Sequence, residues 1–72
     1  MGEDGMKHYY VYSPEDGEEN GKYTGLSLAE AKTLARNSAE RLKNCGAENT
    51  AALVNRRSDC VTVWSTDATQ KR

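Results

Sequence analysis

The sequence predicts a two-layer α+β domain of order ββαββ, in which one helix packs on an antiparallel four-stranded sheet. One amphipathic stretch with clear start and stop signals lies in the middle of the chain. A pair of β-rich stretches separated by turn residues lies on each side of it. We therefore expect a single domain at residues 7–66, with a frayed segment at 1–6 and a polar tail at 67–72.

The first predicted strand is HYYVY, which begins at His8 and is rich in residues that favour strands. The next stretch, SPEDGEENG, contains several turn signals and predicts a long acidic loop. KYTG, residues 22–25, is then the candidate for a short second strand. The pattern predicts a hairpin with a long loop or, alternatively, one strand with a loose return.

The predicted helix covers about residues 28–44. Its start, SLAE, fits a capping box, in which the side chains of Ser27 and Glu30 each accept a hydrogen bond from the other residue's backbone N–H. Apolar side chains then recur at helical spacing, at Leu28, Ala31, Leu34, Ala35, Ala39 and Leu42. Gly46 is a suitable residue to end the helix.

The stretches TAALVN and CVTVWS, with the polar RRSD between them, predict the second hairpin. Side chains alternate across a strand, and one helix can cover only one face of the sheet. We expect the helix to cover the aliphatic sets, which contain Tyr9, Val11, Leu53, Val61 and Val63. The open face would then carry Tyr10, Tyr12, Val54 and Trp64, although the opposite assignment remains an alternative.

The core inventory is thin, because the chain has five leucines, four valines and no isoleucine or phenylalanine in 72 residues. A chain of this size buries only about 60% of its unfolded surface, so its stability is marginal. We therefore expect a homodimer or a complex with a partner protein. The predicted binding residues are Tyr10, Tyr12, Val54 and Trp64, with Arg56 and Arg57 as a polar supplement.

A nucleic-acid contact through the same aromatic side chains, Arg56 and Arg57 is the alternative function. The net charge of −1 and the acidic residues near Glu15 disfavour it, because nucleic-acid-binding domains usually carry a basic excess. The sequence has no apolar stretch long enough to span a membrane and no signal-peptide pattern. We expect a cytoplasmic protein that does not bind a membrane.

Patterns that would indicate catalysis or a bound metal are incomplete. The DGEENG stretch matches the start of a calcium loop, but Ser27 stands where a bidentate glutamate is required. Cys45, Cys60 and His8 lack the paired spacing of a zinc site. We expect a non-enzymatic protein without cofactor or metal, in which His8 lies at the rim of the site. The cysteines should be reduced and packed, a disulfide between them being the alternative.

The run SLAEAKTLA, residues 27–35, between two hairpins resembles short bacterial and phage proteins of ββαββ order. It is also similar to one family of small type I-F anti-CRISPR proteins, which share the opening "MK" plus strand and a comparable helix start. That resemblance implies a phage inhibitor that binds a host protein–RNA complex. It covers about half of the chain and carries over no functional residues.

Overall fold

A computed structural model describes residues 7–66, so the predicted frayed start at 1–6 and the tail at 67–72 lie outside the described residues. The elements in chain order are β1 (Tyr9–Ser13), β2 (Glu18–Asn20), α1 (Leu28–Asn44), β3 (Leu53–Arg56) and β4 (Thr62–Ser65). The strands form one antiparallel sheet in the order β2-β1-β3-β4. The helix packs on this sheet, mainly over β1 and β3. The predicted ββαββ fold is confirmed.

The first hairpin is tighter than the sequence predicts. Ser13 pairs with Glu18, so β2 lies inside the stretch that was expected to be a long acidic loop. Residues 22–25 form a turn rather than a strand, and the Gly25 N–H donates to the carbonyl of Gly21 at 2.7 Å. Leu26 returns to the sheet through an isolated bridge with Tyr9. The prediction of a strand at KYTG is therefore wrong.

Helix α1 has the bounds predicted from the sequence, 28–44. Ser27 Oγ accepts from the Glu30 N–H at 3.2 Å, and Glu30 Oε1 accepts from the Ser27 N–H at 3.0 Å. The Ser27 N–H and then the Lys7 ammonium, 3.2 Å from the carboxylate, lower the pKa of Glu30. At the other end, the Ala47 N–H donates to the Leu42 carbonyl, as in a Schellman motif.

The helix covers the face of the sheet that carries Val11, Val54 and Trp64, which lie side by side on β1, β3 and β4. Val11 and Val54 are fully buried in a cluster with Ala31, Ala35 and Ala52, and Trp64 packs against this cluster. Val63 is 41% exposed. The prediction that Val11 of β1 faces the helix is confirmed. The prediction that Val54 and Trp64 face away from the helix, with Val61 and Val63 beneath it, is wrong.

The small side chains of α1 explain which side chains of β3 and β4 face the helix. Ala31, Ala35 and Ser38 are the residues that the helix buries, together with Leu42 near its end. Small residues let the helix lie close to β1 and β3, so Val11 and Val54 suffice to fill the layer between them. The space beside the helix, above β4, requires a larger side chain, and Trp64 supplies it.

The two hairpin loops share one geometry. In the first loop the Gly17 N–H donates to the carbonyl of Ser13, and in the second the Cys60 N–H donates to the carbonyl of Arg56, both at 2.7 Å. Gly17 has a φ of 71° and Cys60 a φ of 62°. Cys60 therefore occupies a left-handed position that favours glycine.

Candidate binding edge at strand β4

The sheet separates the predicted binding residues instead of collecting them on one surface. Val54 is fully buried beneath the helix. Tyr10 lies on the open face, as expected from the alternation, but only 2% of it is exposed. The ammonium of Lys22 lies 4.8 Å from the centroid of the Tyr10 ring, and Asn55 Nδ2 donates to the Tyr10 hydroxyl at 3.2 Å. Of the four predicted residues, only Tyr12 and Trp64 remain partly exposed.

Arg57 has a structural role that the sequence did not indicate. Its guanidinium donates to three backbone carbonyls, those of Lys22 at 2.8 Å, Tyr23 at 2.8 Å and Lys7 at 3.2 Å. Its own N–H donates to the carbonyl of His8 at 2.7 Å. The side chain therefore ties the second hairpin to the turn at 21–25 and to the start of β1, and its donors are directed toward the protein rather than toward a ligand.

Arg56 is likewise engaged within the chain. Its guanidinium makes two hydrogen bonds to the Asp59 carboxylate, at 2.7 and 3.0 Å. The hydrogen bonds to Asp59 and then its charge raise the pKa of Arg56, and the hydrogen bonds from Arg56 are the first cause of the lowered pKa of Asp59. The pair closes the second hairpin loop, so neither arginine projects as the free cation that the sequence suggested.

Two of the exposed apolar side chains, Val61 and Val63, lie instead along the β4 edge, which we define as the outer side of residues 61–65. β4 is the last strand of the sheet, and no strand among residues 7–66 pairs with its outer side. Val61 is 47% exposed and Val63 is 41% exposed. Half-buried Leu53 lies on the neighbouring strand, and Tyr12 pairs with Leu53. Sequence reasoning missed these valines because it placed them in the core.

The opposite outer strand has a different character. β2 is three residues long and begins with two exposed glutamates, Glu18 and Glu19. Short strands and charged side chains are devices by which proteins prevent unwanted pairing at a sheet edge. Residues 61–65 carry exposed valines and no charged side chain, so the two ends of the sheet are not equivalent for binding.

Trp64 lies where the β4 edge meets the helix. Its ring packs against the core cluster. The ammonium of Lys32 lies 5.7 Å from the ring centroid, and the guanidinium carbon of Arg36 lies 5.3 Å from it. These distances are within the range of cation–π attraction. Lys32 and Arg36 therefore lie on the side of the helix that faces β4.

A cleft of about 300 Å³ continues this region toward the C-terminal half of the helix. It is lined by Arg36, Ala39, Glu40, Lys43, Thr50, Ala51 and Thr66. Lys32, Arg36 and Lys43 lie four and seven residues apart, which is the spacing of side chains on one side of a helix. We refer to these three residues as the basic stripe.

Tyr23 is a second exposed feature that the sequence reasoning missed. It lies at the tip of the turn at 21–25 and is 93% exposed. The turn is held by Arg57 and by Gly25, whose φ is 87°. A Cβ atom on Gly25 would overlap the carbonyl oxygen of Lys7, so glycine is required there. The two glycines that flank KYT in the sequence were the available signal for this turn.

The cysteines and possible metal ligands provide no second site. Cys45 and Cys60 are both free and both exposed, so the expectation that they would be packed is wrong. Among residues 7–66, no group of three or more His, Cys, Asp or Glu side chains is arranged to hold a metal ion. Within the same residues, no helix is long and apolar enough to cross a membrane.

The fold defines the chain as a small α+β protein of ββαββ order, in which β4 is an outer strand with no strand on its outer side among residues 7–66. Comparisons with protein-family models, curated proteins and solved structures gave no match for this chain.

Proposed function

We propose that this chain is a small protein-binding module, without chemistry of its own, that takes up an extended segment of another chain along the β4 edge. The observation that carries the proposal is the exposure of Val63 in β4 and of Val61 just before it, since β4 pairs with β3 on one side and with no strand among residues 7–66 on the other. Strand addition to a sheet edge gives affinity through backbone hydrogen bonds and specificity through alternate side chains. Tyr12 and Leu53 extend the apolar surface inward from the edge.

A second copy is the other occupant that this edge could take, and it would give the homodimer expected from the thin core. Antiparallel pairing of two β4 strands about a two-fold axis perpendicular to the sheet would build a continuous sheet and join the valines of both copies. It would also place both basic stripes on the same side of that sheet, where like charges oppose association. We therefore favour a segment of a different protein.

A nucleic-acid contact is less well supported than protein binding. Arg56 and Arg57, which the sequence offered for phosphate contacts, are bonded within the chain. Tyr10 is covered, so the open face offers few aromatic rings on which bases could stack. The proposed similarity to anti-CRISPR proteins remains a hypothesis, because no match bears on it.

The test uses a capped seven-residue peptide of alternating threonine and valine. We expect the peptide to slow hydrogen exchange at those amides of β4 that point away from β3, because these amides become part of a new strand pair. Val63→Lys should abolish this protection, because a lysine on an edge strand opposes pairing. Thr33→Lys is the matched control, since it adds the same charge at an exposed position on the helix.

The possible results separate the occupants. Protection of β4 in the original chain and in Thr33→Lys, but not in Val63→Lys, supports strand addition. Exchange rates in β4 that do not change at millimolar concentrations of this peptide, nor with glutamate or lysine in place of its threonines, would refute the proposed function. If light scattering shows a dimer that Val63→Lys dissociates, the occupant is a second copy and our preference for a different protein is wrong.

A further inference from the structure

The basic side chains of the described part of the chain divide into two groups. Lys7, Lys22, Arg41 and Arg56 each make an ion pair with a carboxylate. Arg57 donates to backbone carbonyls. Within residues 7–66, only the three cations of the basic stripe make no such bond. This division is informative, because unpaired cations are concentrated on one side of one element.

The basic stripe runs beside the β4 edge. Lys32 and Arg36 lie at the ring of Trp64, and Arg36 and Lys43 line the cleft that ends at Thr66. Trp64 and Thr66 are two residues apart, a distance of about 7 Å along the strand. The basic stripe therefore lies beside the strand over at least this length. Among residues 7–66, Glu40 is the one carboxylate that lines the cleft, and Arg36 and Lys43, which line it too, carry more charge together than Glu40.

A strand added to β4 would meet different surroundings on its two faces. Side chains directly across a strand pair lie about 5 Å apart. The side chains of the added strand that point to the helix side would therefore lie next to Trp64, within reach of Lys32 and Arg36. Those on the open side would lie next to Val63, whose position in β4 alternates with that of Trp64.

From this charge complementarity we infer that the segment bound at the β4 edge carries carboxylates at every second position, facing the basic stripe, and aliphatic side chains between them. The inference rests on the proposed function, because it names the chemistry of the partner at the same edge. The cations of the basic stripe supply the specificity for an acidic segment. The valines at the edge and the backbone of β4 supply the part of the affinity that does not depend on the charge of the segment.

An acidic protein segment fits these observations better than a nucleic acid. An extended peptide can satisfy the backbone of β4, the exposed valines and the cations at once. A nucleic acid would use the cations, but two of them already lie at the Trp64 ring on which a base would stack.

The experiment compares three capped seven-residue peptides that share their valines and have threonine, glutamate or lysine at the alternate positions. Binding is measured by calorimetry, with the fluorescence of Trp64 as a second readout. We expect the glutamate peptide to bind at least about tenfold more tightly than the lysine peptide, and added salt to reduce the difference. Oligothymidylate is included as a polyanion without a strand-forming backbone.

Two variants locate the charge effect. The double variant Lys32→Gln/Arg36→Gln should weaken binding of the glutamate peptide about tenfold and leave the threonine peptide within about twofold. Asn37→Asp/Thr33→Glu is the control, because it also lowers the net charge by two at exposed positions of the same helix. It should change the affinity for the glutamate peptide by less than about threefold, since screened charges away from the site act weakly.

The outcomes distinguish the inference from the proposed function. Equal binding of the glutamate and lysine peptides, with β4 still protected, overturns the inference and leaves strand addition intact. Failure of all three peptides to protect β4 overturns both. Tighter binding of oligothymidylate than of the glutamate peptide, lost in the Lys32→Gln/Arg36→Gln variant, shows that the stripe binds a nucleic acid and overturns the acidic peptide.

Discussion

Cys60 adopts a left-handed backbone conformation, with a φ of 62°, at the position that Gly17 occupies in the matching loop. This conformation costs a residue with a Cβ atom about 1–2 kcal/mol. Cys60→Gly should remove the strain, although the greater freedom of glycine in the unfolded chain offsets about 0.4–1 kcal/mol. We expect a net gain of roughly 0.5 kcal/mol in the free energy of unfolding, measured by urea denaturation.

Two further variants control for the loss of the thiol. Cys60→Ala keeps the Cβ atom and should leave the stability within about 0.5 kcal/mol of the original chain. Gly17→Ala introduces the same strain into the first loop, where a Cβ atom would meet open space, and should be destabilising. A Cys60→Gly variant less stable than the original chain would contradict the strain argument.

At the scale of elements, the capping box at the start of α1 makes the clearest prediction. Ser27→Ala leaves the Glu30 N–H without its acceptor, and a lost N-cap of this kind costs about 1 kcal/mol. Urea denaturation measures the change. Ser58→Ala, at an exposed position in the second hairpin loop, serves as the control and should lie within about 0.5 kcal/mol of the original chain.

The elements differ in how well the sequence predicts them. The helix was located correctly because its signals are local: Ser27 and Glu30 begin it, and Gly46 ends it. The second strand was misplaced because the turn at 21–25 depends on Arg57, which is more than thirty residues away in the chain. No pattern within a single stretch encodes that contact.

The candidate site was predicted poorly for a related reason. Alternation within a strand gives two sets of side chains but does not say which set faces the helix. The choice for β4 follows from the small residues on α1 and from the pairing of Val54 with Trp64. An extra residue in β4, opposite Asn55, also shifts the register within the hairpin. Of the four residues that were predicted to line the open face, only Tyr12 both lies on that face and is partly exposed.

At the scale of the whole molecule, Arg57 joins segments that are distant in sequence. Arg57→Lys replaces a planar guanidinium, which reaches three carbonyls, with a single ammonium that cannot match this geometry. We expect a loss of about 2 kcal/mol in the free energy of unfolding, since hydrogen bonds to charged groups each contribute on that order. Thermal and urea denaturation measure it.

Arg56→Lys is the matched control for this variant. Arg56 makes its side-chain hydrogen bonds only to Asp59, three residues away, so its replacement should leave the unfolding midpoint close to that of the original chain. Faster amide exchange in the turn at 21–25 should accompany Arg57→Lys and not Arg56→Lys. An equal effect of the two substitutions would show that Arg57 does not act as a tie between segments.

The sheet order has a consequence for how the chain assembles. Its two central strands, β1 and β3, come from different hairpins, and their pairing joins residues more than forty positions apart. Neither hairpin can complete an apolar layer alone, because a two-stranded ribbon is marginal in water. The rate-limiting event in folding should therefore be the docking of one half of the chain onto the other. The pairing of β1 with β3 also permits two copies to exchange their C-terminal hairpins, because every native contact between the two halves can then form between chains.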